Sequence, residues 1–312
     1  MHENALFGPV DPALEAGYVS NPPRKGFFTD TSVCIGCKAC EVACKEWNGV
    51  PDDGFNLLGM SYDNTGSLGA STWRHVAFIE QPASRPEPSR VRVDLGMPEV
   101  RVPDDPGLDS PRTDPEHSDF RWLMSSDVCK HCTHAACLDV CPTGALFRTE
   151  FGTVVVQDDI CNGCGYCVPA CPFGVIERRQ GPEGNKNVGI AQKCTLCYDR
   201  LGAGKTPACA QACPTQSIQF GDVTELRERA QQRVEALHER GIPKARLYLE
   251  DPDDGIGGGG SMFLLLDEPE VYGLPPDPVV TTKDLPRMYA RAATAAAVML
   301  AGAAAAFLGR RR

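Results

Sequence analysis

The sequence predicts an α+β fold of short strands and helices arranged around cysteines. Three observations predict it. The 16 cysteines fall into four groups of four, with none left over. Gly (31) and Pro (26) are abundant among 312 residues and aromatics are few, so elements are short and turns are many. Both strand-like segments rich in β-branched residues and an amphipathic helix can be read between the groups. The length allows one to three domains and a real core. Asp and Glu (41) outnumber Lys and Arg (31), giving a formal charge of −10, so a nucleic-acid partner is not expected.

The first group is Cys34, Cys37, Cys40 and Cys44, spaced C-x2-C-x2-C-x3-C. The second is Cys129, Cys132, Cys137 and Cys141, spaced C-x2-C-x4-C-x3-C. The third is Cys161, Cys164, Cys167 and Cys171, with the first group's spacing. The fourth is Cys194, Cys197, Cys209 and Cys213, spaced C-x2-C-x11-C-x3-C. Proline follows the last cysteine in three of them, at Pro142, Pro172 and Pro214. This is the ferredoxin run for cubane [4Fe–4S] clusters, repeated four times. Three closely spaced thiolates can reach three irons of one cube. The fourth sits a helical turn further on, and in two-cluster ferredoxins it ligates the neighbouring cluster. All 16 cysteines are therefore candidate ligands, and four [4Fe–4S] clusters are the expected cofactors.

Disulfides and zinc are the competing readings. Met1–Val10 has neither the basic nor the apolar region of a secretory signal, which argues against eight disulfides. Zinc sites pair two knuckles across a longer gap, and the compact spacing is too crowded for that.

In chain order, residues 1–25 form a leader rich in Pro and Gly, followed by the first cysteine group in 26–50. Residues 51–126 are an insertion. Within it, Trp73–Glu80 and Ser89–Asp94 read as strands and Pro103–Ser118 as a surface loop. Residues 127–187 form an inner two-cluster unit, whose groups flank a hairpin over Leu146–Gln157 that turns near Gly152. Gln180–Asn187 is a polar loop. The fourth group follows in 188–221, with a short strand at Gln216–Gly221. Residues 222–286 form a small α/β element. Asp222 can cap a helix over Val223–Arg240, where Val223, Leu226, Ala230, Val234 and Leu237 share a face and Gly241 ends it. Ala245–Leu249 and Met262–Asp267 read as strands. Gly255–Ser261 (GIGGGGS) between them lacks the following helix that nucleotide binding needs, and reads as a flexible turn.

Residues 287–312 pose a separate question. Ala292–Gly309 is 18 uncharged residues, mostly alanine, preceded by Arg287 and Arg291 and closed by Arg310–Arg312. As a helix it is roughly 27 Å long, just short of the ~30 Å hydrocarbon core. It is read as a single membrane span, with a soluble helix as the competing reading. The flanking charges nearly balance, with a slight preference for a cytoplasmic C-terminus.

Several residues beside the cysteines are read as structural. His131 and His134 are expected to support neighbouring ligands, Trp47 and Tyr166 to pack, and Lys38 and Lys130 to lie on the solvated surface. No Ser/His/Asp arrangement or carboxylate pair can be placed in a site, and no catalytic residue is expected.

The residues resemble a known family. Cys34–Cys44 (CIGCKACEVAC) followed by Trp47 and Asn48 is similar to the opening of the iron–sulfur (beta) subunit of respiratory formate dehydrogenases. Asp127–His134 leading to Cys141–Leu146, then Cys161–Cys167 with Cys171–Gly174, resemble its second and third motifs. Cys194–Arg200, with Pro207–Cys209 and Cys213–Thr215, resembles its fourth, and Tyr272–Pro275 is similar near the end. Nitrate reductase relatives usually carry Trp for one cysteine of the fourth motif, whereas Cys197 is in place here.

The resemblance implies two ferredoxin-like two-cluster units and crossed ligand sets. In the inner unit, Cys129, Cys132 and Cys137 would pair with Cys171, and Cys161, Cys164 and Cys167 with Cys141. In the outer unit, Cys34, Cys37 and Cys40 would pair with Cys213, and Cys194, Cys197 and Cys209 with Cys44. A lone group cannot fold back on itself, so the first and fourth are expected to meet across the insertion. The resemblance further implies a molybdenum- or tungsten-pterin catalytic (alpha) partner that oxidises formate, and a membrane subunit that passes electrons to quinone. It places the body outside the cytoplasmic membrane. Relay for another molybdopterin reductase, acting on sulfur or selenium oxyanions or a sulfoxide, and a free-standing polyferredoxin are the alternatives.

Overall fold

The computed structural model describes residues 12–19, 22–54, 62–63, 65–82, 120–182 and 186–309. The predicted strand Ser89–Asp94, the loop Pro103–Ser118, most of the leader and Arg310–Arg312 lie outside the described residues.

The chain is α+β. It opens with a short helix α1 (Pro12–Glu15), strand β1 (Lys25–Asp30) and helix α2 (Ala39–Asn48). Strands β2 (Arg74–Pro82) and β3 (Phe120–Val128) follow, then helix α3 (Ala136–Asp139). Strands β4 (Leu146–Arg148) and β5 (Val154–Val156) precede helix α4 (Cys167–Ala170) and strands β6 (Glu177–Arg178) and β7 (Ala191–Gln192). Helices α5 (Tyr198–Gly202) and α6 (Ala208–Gln211) lead to β8 (Ile218–Asp222) and helix α7 (Val223–Glu239). Strands β9 (Arg246–Tyr248) and β10 (Ser261–Leu265) precede the last helix, α8 (Leu285–Gly309).

The main sheet has the order β8-β1-β10-β9. β1 pairs in parallel with β10, Phe27 opposite Ser261, and antiparallel with β8, Phe27 opposite Phe220. The C-terminal α/β element thus takes its central strand from before the first cysteine group. Periodicity did not mark β1, because a buried strand of six residues carries no alternation. α7 covers one face through Val223, Leu226, Ala230 and Leu237, which pack on Phe28, Met262 and Leu264. Its expected cap is not formed. Asp222 caps with no side-chain hydrogen bond, because its carboxylate is taken by the Lys25 ammonium. Gly241, at φ +82°, ends the helix as the sequence predicts.

β2 falls where the first insertion strand is expected, and its partner is β3, at the far end of the insertion. The antiparallel register runs from Arg74 opposite Val128 to Pro82 opposite Phe120. The hairpin β4–β5 turns through Gly152 at φ +72°. α2 packs against α6, and α3 against α4, so helices of the first and fourth groups meet, as do those of the second and third.

α8 runs for 25 residues, starting earlier than the alanine run. From Arg287 to Gly309 it is long and apolar enough to cross a membrane, and none of that stretch is buried against the protein. A helix of this composition with no covering surface has no aqueous source of stability beyond alanine propensity.

Candidate functional site

The repeated spacing produces a repeated local geometry. In the first C-x-x-C loop of each group the residue before the second cysteine has a positive φ: Gly36 (+64°), His131 (+45°), Gly163 (+72°) and Leu196 (+57°). This turn aims backbone N–H groups inward at sulfur. Leu196 N–H donates to Cys194 Sγ at 3.3 Å. One helical turn then carries the polypeptide to the fourth cysteine: α2 holds Cys40 and Cys44, α3 holds Cys137, α4 ends at Cys171, and α6 holds Cys209 before Cys213.

The structure brings cysteines of different groups together. Cys129, Cys132, Cys137 and Cys171 line one cavity, with Val154, Phe173 and Ile176. Cys34, Cys37, Cys40 and Cys213 line another. The charges felt by the remaining cysteines show their neighbours. Cys44 faces Cys194, Cys209 and Cys197, and Cys167 faces Cys161, Cys164 and Cys141.

No two of the 16 cysteines are joined in a disulfide, which argues against the disulfide reading. Burial pushes the Cys40 thiol up to about 11 and the Cys137 thiol up to about 12. Burial pushes Cys132 and Cys194 up as well, and neighbouring sulfurs add to it: Cys129, Cys137 and Cys171 around Cys132, and Cys129, Cys209 and Cys197 around Cys194. Thiols crowded together in an apolar space stay protonated by themselves. Cationic iron reverses that, since a metal-bound sulfur is a thiolate. Cys141 shifts the other way from Cys40 and Cys137. Burial works against its charge, but N–H groups of Leu146, Thr143 and Ala145 and the Thr143 hydroxyl outweigh it and hold the thiol below its ordinary value.

The arrangement fits a cluster better than single ions. Thiolates on one zinc converge to ~2.3 Å from its centre. Among the described residues no three His, Cys, Asp or Glu side chains are close enough to hold one ion, and the cysteines instead surround open cavities.

The residues beside the ligands divide. His131 is buried, and its Nδ1 accepts the Val154 N–H at 3.1 Å, tying the second group to β5. Trp47 donates its indole N–H to Asp199 and stacks with Arg200, so it packs, though half-exposed. Tyr166 is 62% exposed and packs little. The surface reading of Lys130 is overturned. It is fully buried, its ammonium pairs with Asp127 and lies 4.5 Å from the Phe263 ring centre. Paired and stacked, the cation tolerates burial. Lys38 is also drawn in, by Glu41 and Asp63, each at 3.3 Å.

Other contributors carry no motif. Arg74, Ser126 and Lys193 are buried beside the cysteines. Lys193 Nζ donates to the carbonyls of Val154 and Cys194. The glycine run, read as a flexible turn, lies against the second group. Thr133 N–H donates to Gly258 O at 3.0 Å, His134 N–H to Ile256 O at 2.8 Å, and Gly260 N–H to His131 O at 3.2 Å. A side chain at Gly257 would strike the His134 ring. The absence of side chains serves close approach here.

Two profiles described as 4Fe-4S dicluster domains match the chain, over residues 33–145 and 120–223. The nitrate-inducible formate dehydrogenase iron-sulfur subunit of Escherichia coli is 37% identical over 257 residues, covering 81% of this chain and 73% of that protein. The formate dehydrogenase iron-sulfur subunit of Haemophilus influenzae is 39% identical over 256 residues, 80% of this chain and 68% of that one. The B subunit of the anaerobic dimethyl sulfoxide reductase of Escherichia coli is 34% identical over 205 residues, 65% of this chain and 76% of that one. With 16 cysteines gathered as two dicluster domains require, this protein belongs to the iron–sulfur subunits of the formate dehydrogenases, the four-[4Fe–4S] electron-transfer subunits of molybdopterin oxidoreductase complexes.

Proposed function

We propose that this chain relays electrons from a formate-oxidising catalytic subunit, carrying a molybdenum or tungsten pterin, to a membrane subunit and the quinone pool. The ligand sets are Cys34, Cys37, Cys40 with Cys213; Cys194, Cys197, Cys209 with Cys44; Cys129, Cys132, Cys137 with Cys171; and Cys161, Cys164, Cys167 with Cys141. The first two sets form the outer unit, 26–50 with 188–221, and the last two the inner unit, 127–187. When bound, the clusters supply one-electron carriage.

One observation carries the reading: the sets lie in a row with exposed ends. Cys40 faces Cys209, Cys194 faces Cys129, and Cys137 faces Cys167. Among the cysteines only Cys37 and Cys164 are exposed, one in each terminal set. A row of buried carriers with an opening at each end suits a relay between two partners. The chain's own residues bury the set of Cys44, Cys194, Cys197 and Cys209 and direct N–H groups at sulfur, which tunes potential.

The base of α8 lies at the inner end. Thr282 donates a hydrogen bond to Asp139, between Cys137 and Cys141. This supports the Cys161 set as the membrane-side exit and the Cys34 set as the entry from the catalytic partner. We place the body outside the cytoplasmic membrane, with Arg310–Arg312 on the cytoplasmic side. Similarity to the sulfoxide reductase subunit favours a second reading, relay for that reductase class; the formate relatives match a larger share of this chain.

Purification of the intact complex tests the proposal. The expected result is a large molybdenum- or tungsten-pterin subunit in which formate reduces the clusters of this chain, while the isolated chain does not respond to formate. A partner reduced by no formate but oxidised by a sulfoxide would transfer the chain to the second reading.

A further inference from the structure

Arg74 opens β2 and is among the largest fully buried side chains. A guanidinium keeps its proton in proteins, so its charge is buried with it. Nη1 donates to Ser126, to the carbonyl oxygen at 3.2 Å and the hydroxyl at 3.0 Å. The same hydroxyl lies 3.2 Å from Cys40 Sγ. The guanidinium carbon sits 4.8 Å from the centre of the Phe27 ring. Nε and Nη2 are shut off from solvent with no hydrogen-bond partner among the described residues. Unpartnered donors of this kind cost free energy unless something not made of protein accepts them.

Sulfur surrounds the group. Its near neighbours include the sulfurs of Cys209, Cys40, Cys194 and Cys44. Cys40 belongs to one proposed outer set, and Cys209, Cys194 and Cys44 to the other. A net-negative cluster in each set would neutralise the guanidinium, and sulfur could accept its free N–H groups.

We propose that Arg74 is a cationic anchor shared by the two outer clusters, donating Nε–H and Nη2–H to their sulfurs and raising both reduction potentials. The proposal rests on the ligand sets above. Those are tested by loss of iron from cysteine variants, whereas Arg74 is tested by potentials with all four clusters present, so the two can fail separately.

In redox titrations of the purified complex followed by EPR, Arg74→Gln should lower the potentials of both outer clusters. The drop should be about tenfold or more in the equilibrium constant for reduction, about 59 mV for one electron. The inner clusters should move far less. Unchanged outer potentials, or equal shifts in all four, would overturn the proposal. If the Gln variant does not retain its clusters, pulsed EPR of the reduced wild-type protein containing 15N-guanidinium arginine decides. A 15N coupling on the outer clusters that disappears in Arg74→Lys supports the anchor. No coupling, or one that survives in the Lys variant, refutes it.

Discussion

Trp47 of α2 donates its indole N–H to Asp199 of α5 at 2.9 Å, joining the helix of the first cysteine group to that of the fourth. The Arg200 guanidinium lies over the same indole, 4.2 Å from its ring centre. Asn48, the next residue of α2, points its amide at Cys44 and Cys197 sulfur, at 3.7 and 3.9 Å. This joint holds together two groups that lie far apart in sequence.

Trp47→Phe should keep the stack and lose the hydrogen bond, costing about 0.5–1 kcal/mol. Trp47→Ala loses both, and about 1–2 kcal/mol of stability. Iron release to a chelator, followed by absorbance, should accelerate in the order wild type, Phe, Ala. The acceleration should come from the outer pair of clusters. Equal rates for all three would show that the joint does not limit cluster retention.

Intact protein should hold about 16 Fe and 16 sulfides per chain. Cys213→Ser should damage the cluster built on Cys34, Cys37 and Cys40, although it lies in the fourth motif. EPR of the reduced variant should lose or alter that signal and keep the one built on Cys194, Cys197 and Cys209. The reverse pattern would mean the sets are not crossed, and iron near half the expected amount with stoichiometric zinc would remove the four-cluster assignment.

Gly163 and Gly144 separate backbone strain from collision. Both have positive φ, +72° and +70°. A Cβ at Gly163 would stand 2.5 Å from the carbonyl oxygen of Gly189, while nothing lies within 4 Å of one at Gly144. Gly144→Ala should cost about 1 kcal/mol from conformation. Gly163→Ala should cost more and release the cluster built on Cys161, Cys164 and Cys167 first. Iron content after chelator challenge, compared between the two variants, measures the difference.

Deleting residues 292–312 should move the chain, or its complex, from the membrane fraction to the soluble fraction with all four clusters retained. From Arg287 to Gly309 α8 is not buried against the protein and contributes nothing to the cysteine cavities, so the body should not notice its loss. Continued membrane association would assign the anchor elsewhere. Protease added to spheroplasts carrying the full chain should cut the body, and full protection would place it on the cytoplasmic side.

The sequence by itself determined the chemistry. Closely spaced cysteines followed by one a helical turn further on are the ferredoxin run, so the spacing of the 16 cysteines announces the cofactor before any fold is known. α7 was legible because its apolar residues repeat at helical period and Gly241 stops it. The β4–β5 hairpin was legible because a turn glycine interrupts a β-branched run. The apolar tail was legible because its composition suits no aqueous face. Tertiary structure alone decided what surrounds the cysteines. Arg74 and Lys130 look like surface charges in a sequence, since nothing local reveals that β3, Phe27 and Phe263 will close over them. β1 gains its meaning only by lying between β8 and β10, whose residues come about two hundred positions later. The glycine run became a close-packed neighbour of the second group through backbone hydrogen bonds to Thr133, His134 and His131. Local pattern records which residues share an element. Burial of a charge, and the approach of one backbone to another, depend on contacts between elements, and those exist only once the polypeptide has folded.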